Sequence, residues 1–442
     1  MIIYSKHLPP AKQYDVIVVG SGSAGATATI AAARTGAKTL VLERLPFLGG
    51  TSTAVLDTFY GFYTPGGQSK KVVGGISDDV MERLREHASW IERPNTHGAG
   101  TGVTYHPEYL KVVWEDLVRE SGAEVLLNAW VQDVEVKDKA IRSLFVATKL
   151  GLRVFRADVF IDASGDADLC HFGGYEYELA GAIDPAQTLT TTFKLCNVDV
   201  LRRKSISKTE FHALMATAAE SGKYALPRKE GSDHITPVDH MTATIMTRLP
   251  SFFKMGATVV NATDPELMSH AEMEGRKQAI EYIRFLRDKV PGYEKAQLST
   301  FGVQIGVRET RRVYGEYRLT KNDVLSAKQF DDQIGLCGAP IEDHHEGADT
   351  TWVYLPEGQC VGIPWGTLVP KGSQNLLVAG RCFSSTHDAH AAVRSMAQCM
   401  AMGQAAGTAA ATIAQEKKSP QALSVQLLQE TLRKNGAILE TP

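Results

Sequence analysis

Between the apolar run Tyr14–Val19 and the Ala-rich run Ala24–Arg34 the chain reads Gly20-Ser21-Gly22-Ser23-Ala24-Gly25. A Val/Ile run apolar on both faces predicts a strand buried between two layers. The Ala-rich run predicts a helix that Gly36 stops. Thr39–Leu42 predicts a second buried strand, and Glu43 stands at its end. Strand, glycine turn, helix, strand and terminal carboxylate in this order form a dinucleotide fingerprint on a parallel sheet; the alternative is a Gly-rich turn in an ordinary α/β protein. Gly20 permits the tight turn, Gly22 lets the backbone approach a pyrophosphate, and Gly25 lets helix and strand pack closely. At Ser23 and Ala24 the helix start offers free N–H groups and about half a positive charge to phosphates. Glu43 is placed to accept hydrogen bonds from ribose hydroxyls, and its charge disfavours the 2′-phosphate of NADP.

Composition narrows the class. The chain has 442 residues, 43% hydrophobic and 22% charged, which suits a globular protein of two or three domains. With 47 Lys+Arg against 50 Asp+Glu the net charge is -3, so no basic surface for nucleic acid is expected. The cysteines Cys170, Cys196, Cys337, Cys360, Cys382 and Cys399 are scattered, without a CxxC pair. That pattern points to a reduced, cytoplasmic protein without a zinc cluster or disulfide-reductase chemistry. Met1–Lys12 lacks the apolar core of a signal peptide. Ser395–Gln415 has no charge, but its Ala, Gly, Ser, Thr and Gln drive membrane insertion weakly, so it is expected as a buried helix and no membrane partner is expected.

Further along, Gly49–Gly102 is rich in glycine and aromatics, and Pro107 opens a helix to Ser121. Ala123–Leu127, Trp130–Val136, Ile141–Thr148 and Leu152–Arg156 predict one parallel strand and an antiparallel meander; Val159–Ala163 predicts another buried strand. The middle changes character. Gln187–Asn197 alternates like a half-exposed strand, Asp264–Lys289 is a long amphipathic helix, Leu298–Ile305 and Arg311–Leu319 are strands, and Gly338–Thr351 is a polar loop. Asn375–Ala379 returns to a buried strand before the uncharged helix, and the polar last 25 residues are expected to be helical.

A resemblance rests on several segments. Glu43–Gly50 read ERLPFLGG, followed by Thr51-Ser52-Thr53; Phe160–Asp166 read FIDASGD; Asn375–Arg381 read NLLVAGR. These resemble FAD-dependent oxidoreductases of the glutathione-reductase-like, two-dinucleotide-binding class. More narrowly, Gly306–Arg312, Gly315-Glu316-Tyr317, Leu319-Thr320, Asp323-Val324, Leu368–Gly372 and Thr386–His390 resemble the family of mostly uncharacterised bacterial FAD-dependent oxidoreductases. The resemblance runs from about 14 to 412. It implies an α/β fold: a Rossmann-like FAD domain with parallel sheet and β-meander from 1–186 and 356–442, and an inserted α+β substrate or cap domain from 187–355. It implies FAD, bound noncovalently because Gly50–Thr53 offers no His or Cys. To Gly20, Gly22, Ser23, Ala24, Gly25 and Glu43 it adds as cofactor residues Arg44, Gly49, Gly50, Thr51, Ser52, Val131, Ala163, Ser164, Gly165, Asp166, Gly380, Arg381 and Gly403.

The implied activity is hydride transfer between a small organic substrate and flavin N5, in a dehydrogenase, oxidase or reductase. The alternatives are a monooxygenase with a transient NAD(P)H donor, there being no second GxGxxG, or a non-redox role; a halogenase Trp-x-Trp motif is absent. Candidate catalytic groups are His344, His387, Arg308 and Arg394, with His390 beside them. His344 matches a family His, although Glu342 replaces the family's Asp; its loop reads equally as a solvated turn. Arg308 or Arg311 either clamps a carboxylate or pairs with Glu309 or Glu316. His387 and His390 in HDAH lack a carboxylate-rich partner segment, so no metal is expected. Phe59, Tyr60, Phe62 and Tyr63 either line a pocket or fill the core. A helix beginning near Val393 either aims its N-terminus at the flavin or packs through Gly403-x-x-x-Gly407; the two are compatible. The oligomeric state is left open.

Overall fold

The computed structural model describes residue 8 and residues 11–67, 69–93, 100–345 and 350–442. Most of Met1–Lys12, and 346–349 of the polar loop, lie outside the described residues.

A seven-stranded sheet organises the chain. Its strands are β1 (Lys12–Val19), β2 (Thr39–Leu42), β3 (Glu124–Leu126), β4 (Trp130–Lys137), β5 (Ala140–Thr148), β6 (Gly151–Asp162) and β7 (Leu376–Val378). Their order is β3-β2-β1-β6-β5-β4, with β7 on β6. The pairs β1–β2, β2–β3, β1–β6 and β6–β7 are parallel; β4–β5 and β5–β6 form the antiparallel meander. The two strands expected at Leu152–Arg156 and Val159–Ala163 are one strand. Its first half pairs with β5, its last residues Phe160–Asp162 pair with β7, and β1 runs along the other edge from Phe155 to Asp162, across the join.

Alternation sends Val16, Val18, Val41, Val159 and Ile161 to one core and Ile17, Val19, Leu40, Leu42 and Phe160 to another. The first core lies under α1 (Ser23–Arg34) and α2 (Met396–Glu416). These helices touch backbone to backbone: a Cβ on Gly403 would lie 2.2 Å from the Ala24 carbonyl oxygen, and one on Gly407 2.1 Å from that of Ala28. The uncharged segment is therefore a buried helix, as expected from its small residues. Among the described residues no helix is long and apolar enough to cross a membrane.

Between β6 and β7 the chain builds a separate antiparallel sheet in the order Ser232–Ile235, Thr242–Ile245, Phe193–Cys196, Gln297–Phe301. Helices Lys208–Glu220 and Pro265–Lys289 pack on it through Phe211, Met215, Tyr282, Phe285 and Leu286. Asp264 caps the longer helix, accepting from the Glu266 and Leu267 N–H groups at 2.9 Å. Gln187–Asn197 is a half-exposed strand only in its second part: Phe193–Cys196 is strand with alternate residues buried, while Thr188–Thr192 are all buried. Thr192 bonds the Val55 carbonyl and Thr190 bridges to Gly306, so neighbours cover both sides of the segment. Arg311–Leu319 contracts to a strand at Arg311–Val313, paired with Tyr177–Leu179, and Leu298–Ile305 ends as strand at Phe301. In the polar loop Ile341–Asp343 pairs with Thr351–Val353. Leu319, Val324, Leu336, Ile341 and Leu355 pack into the α1/α2 core, and Leu189, Leu249 and Ile305 into a small cluster of their own, so residues 187–355 do not close around a single core.

Candidate functional site

The turn after β1 opens one end of a cavity of about 1670 Å³. Small-molecule pockets run to about 300–1,000 Å³, so this one has room for a dinucleotide and a substrate together. Gly20 has φ +88°, and a Cβ there would lie 2.5 Å from the Ala163 carbonyl oxygen. A Cβ on Gly25 would lie 1.9 Å from the Gly20 carbonyl oxygen. On Gly22 it would meet nothing within 4 Å, and Gly22 lines the cavity. The glycines thus divide the work as the fingerprint requires: two permit packing and one keeps space for a ligand. Gly22 precedes α1 without a side-chain cap, and no acidic residue stands in the first turn. The first-turn N–H groups of α1 are therefore not taken by a side-chain cap, as suits an anion. Glu43 is buried at the cavity wall; its Oε2 accepts from the Ser21 N–H at 2.8 Å and hydroxyl at 2.6 Å, and its Oε1 from the Leu45 N–H at 2.9 Å. Carboxylate oxygens keep further lone pairs for ribose hydroxyls.

Arg44, Gly50, Thr51, Val131, Ala163, Ser164, Gly165, Asp166, Gly380 and Arg381 line the same cavity. Gly49, Ser52, Gly25 and Gly403 do not: they stand behind the wall. Gly49 donates its N–H to the Ser21 carbonyl, Ser52 Oγ donates to the Gly49 carbonyl, and Gly403 seats α2 on α1. Asp166 accepts from Thr310 and Arg381, each at 2.8 Å; burial opposes its ionisation, and Arg381 and Thr310 outweigh that and hold its carboxyl below the usual range. Asp168, beside it, is pushed up to about 7 by burial and by the charges of Asp166 and Asp162. Arg311 is occupied here, donating to the Asp166 carbonyl and pairing with Asp168 at 3.3 Å.

At the other end the cavity opens into a chamber walled by Arg308, Arg394, Glu342, His344, Tyr60, Arg93 and His234. Glu342 and His344 sit on the hairpin of the polar loop. His344 Nε2 lies 2.9 Å from Glu342 Oε1, and its Nδ1 lies 3.0 Å from Thr350 Oγ1. Burial and the nearby Arg308 charge hold His344 down to about 3, so the ring is neutral: Nε2 donates to Glu342 and Nδ1 accepts from Thr350. Both ring nitrogens of His344 are engaged within the hairpin, one with Glu342 and one with Thr350. Burial opposes ionisation of Glu342, yet His344, Arg394 and Arg308 hold it down to about 2.

Two expected histidines lie elsewhere. His387 is buried outside the cavity wall, its Nδ1 3.0 Å from Glu309 and its Nε2 3.2 Å from Asp343. His390 donates Nε2–H to the Arg381 carbonyl at 2.8 Å and stacks on Phe383. Both face inward because their short helix, His387–Val393, is buried on nearly every side. No metal-binding group of three or more His, Cys, Asp or Glu occurs among the described residues. Arg308 does not pair with Glu309 or Glu316. Glu309 belongs to Arg312, which also holds Glu178, while Glu316 accepts from Gln421. The aromatic cluster divides: Phe59 and Phe62 fill the core, and Tyr60 lines the chamber with its hydroxyl 2.8 Å from Arg93. α2 begins at Met396, just past Val393; Ser395 and Met396 reach the cavity, so the helix both packs through its glycines and presents its N-terminus.

His234 is the group that reading the sequence missed. Its Nε2 lies 2.7 Å from Asp57 Oδ1, both residues are buried, and the ring lines the chamber. Burial opposes the Asp57 charge, but His234 and Lys194 hold its carboxyl down to about 2. Nε2 therefore donates to Asp57, and Nδ1 is the nitrogen with no protein partner among the described residues. A carboxylate-oriented imidazole with one free nitrogen on a cavity is equipped for proton transfer. Its partners are 177 positions apart, so no local motif announces them.

Comparison with curated proteins gives no match. Among solved structures, a geranylgeranyl bacteriochlorophyll reductase-like protein from Thermoplasma acidophilum is 13% identical at a TM-score of 0.48, with 96% of this chain and 84% of that one covered. The p-nitrophenol 4-monooxygenase PnpA from Pseudomonas putida DLL-E4 is 11% identical at 0.49, covering 95% and 84%. The flavin-dependent brominase Bmp2 is 13% identical at 0.47, covering 96% and 83%. A family model described as FAD dependent oxidoreductase matches residues 15–432, and the cradle, with its open Gly22 and uncapped α1, fits that cofactor. The chain belongs to the FAD dependent oxidoreductase family.

Proposed function

We propose that this enzyme transfers a hydride between a small organic substrate and FAD, as a dehydrogenase, oxidase or reductase. Bound FAD supplies the two-electron acceptor or donor. Gly20–Ala24 and Glu43 would hold its adenosine diphosphate half, and Thr51, Asp166, Gly380 and Arg381 the remainder. Residues 1–186 and 356–442 would carry these groups, and 187–355 the substrate-facing wall. His234 would exchange the substrate's O–H or N–H proton at Nδ1, while the Asp57 carboxylate balances the imidazolium. Arg308, Arg394 and the Glu342–His344 pair would orient the substrate. A reducing, cytoplasmic setting accords with six free cysteines.

The observation that carries this reading is the continuity of the cavity: the phosphate cradle and the chamber holding His234 share one wall. The test is anaerobic addition of candidate substrates to the purified enzyme, followed in the visible flavin band. Bleaching by an organic compound without oxygen is the expected result. His234→Gln should retain the flavin and slow bleaching about 100-fold or more. Bleaching by NAD(P)H alone, with oxygen then consumed to oxygenate a second compound, would replace this reading with a monooxygenase.

A further inference from the structure

We propose that Arg308 and Arg394 form a binding site for the carboxylate of an organic acid, which makes the substrate of the proposed reaction an organic anion; this rests on the chamber being the substrate site. One stretch of chain braces both side chains from behind. Arg308 Nη1 donates to the Thr188 carbonyl at 2.7 Å and to Thr190 Oγ1 at 2.8 Å. Arg394 Nη2 donates to Gln187 Oε1 at 2.9 Å and faces the Glu342 carbonyl at 3.5 Å. Every one of these acceptors is neutral, and among the described residues neither arginine has an ion pair. Arg394 Nε is buried with no acceptor among the described residues. Both residues line the chamber.

Buried charges are costly unless paired, and a guanidinium leaves that cost standing because it does not give up its proton. The neighbouring carboxylate does not remove it. Glu342 turns Oε1 to His344, and Asp343, the other carboxylate near Arg394, pairs with His387 and His345, so neither is turned to cap the positive charge of the two guanidiniums. A monoanionic carboxylate neutralises that charge and accepts paired N–H groups in the planar geometry that suits guanidinium. Burial and the charges of Arg394 and Arg228 hold Arg308 down to about 9, against the opposing pull of Glu342. The phosphates are provided for elsewhere, at the start of α1.

The probes are acetate, succinate and benzoate, with acetamide, succinamide and benzamide as neutral counterparts. Each is titrated into the FAD-loaded enzyme and followed by intrinsic fluorescence, by thermal unfolding and by the flavin spectrum. At least one acid should bind saturably and raise Tm, and its amide should not. Arg308→Gln and Arg394→Gln should each weaken that acid at least tenfold, and Arg308→Lys should weaken it less. Circular dichroism identifies any variant that has not folded, and the other arginine then carries the test. Equal binding of acid and amide, binding of no acid, or unchanged affinity in both folded glutamine variants would overturn the proposal. So would a change in flavin reduction potential in those variants without a change in acid affinity, which would assign the arginines to the flavin's own negative charge. Fluorescence and Tm report acid binding whether or not the flavin is bleached by any substrate. A failure of the redox reading is therefore separable from a failure of this one.

Discussion

Gly22 and Gly25 look alike in the chain and differ in what a methyl group would meet. At Gly22 the added atom enters open cavity; at Gly25 it strikes the Gly20 carbonyl. Gly22→Ala should therefore unfold in urea like the wild type and lose FAD affinity in a fluorescence titration. Gly25→Ala should lose about 1–3 kcal/mol of stability before any question of binding arises. Asp168 gives a pH-dependent counterpart. An ordinary Asp loses its proton near 3.8, while burial and its acidic neighbours keep this one protonated up to about 7 in the folded chain. Between these values the native state binds the extra proton, so stability falls as pH rises through the window and the penalty is complete above it. Asp168→Asn removes the penalty. Flavin-free protein carrying it should gain more in Tm over wild type at pH 8 than at pH 5.

The contact of α1 with α2 depends on small residues along one face. Gly407→Leu would drive a side chain into the Ala28 carbonyl and the Ala31 methyl. It should lower stability by about 1–3 kcal/mol or more in chemical denaturation, and weaken FAD binding through the shifted start of α1. The hairpin of Ile341–Asp343 and Thr351–Val353 has its own acid response. His344 titrates near 6.5 in an unfolded chain but near 3 in the fold, because burial and Arg308 disfavour its charge. Below pH 6.5 the unfolded state takes up the proton first, so the native state loses stability down to about pH 3. His344→Gln should flatten that slope in a series of urea transitions from pH 7 to pH 4, while keeping the flavin.

Noncovalent binding of the cofactor is the expectation from Gly50–Thr53. Acid precipitation should leave the yellow colour in the supernatant; colour in the pellet would contradict this. FAD at about 100 times its Kd should add about 2.7 kcal/mol to stability. The cradle was legible because Gly20–Gly25, Glu43 and Phe160–Asp166 sit at strand ends, where the order of chain elements dictates their meeting. The chamber was less so. Arg308, Arg394 and His344 were recognisable as polar groups near family motifs, but whether each had a partner was not. His387 was misplaced because nothing in HDAH says which way a buried helix turns. His234 was missed because Asp57 reaches it from a distant part of the chain.

Local chemistry therefore determined the parallel sheet and the phosphate turn, since each follows from backbone geometry over a few neighbouring residues, while the choice of FAD came from the family resemblance. Tertiary structure alone decided which charges are neutralised and which face the cavity. Glu309 went to Arg312 and His387, and among the described residues Arg308 has no ion pair where it lines the cavity. Burial and partnership are properties of the packed chain, where residues hundreds of positions apart compete for the same acceptor.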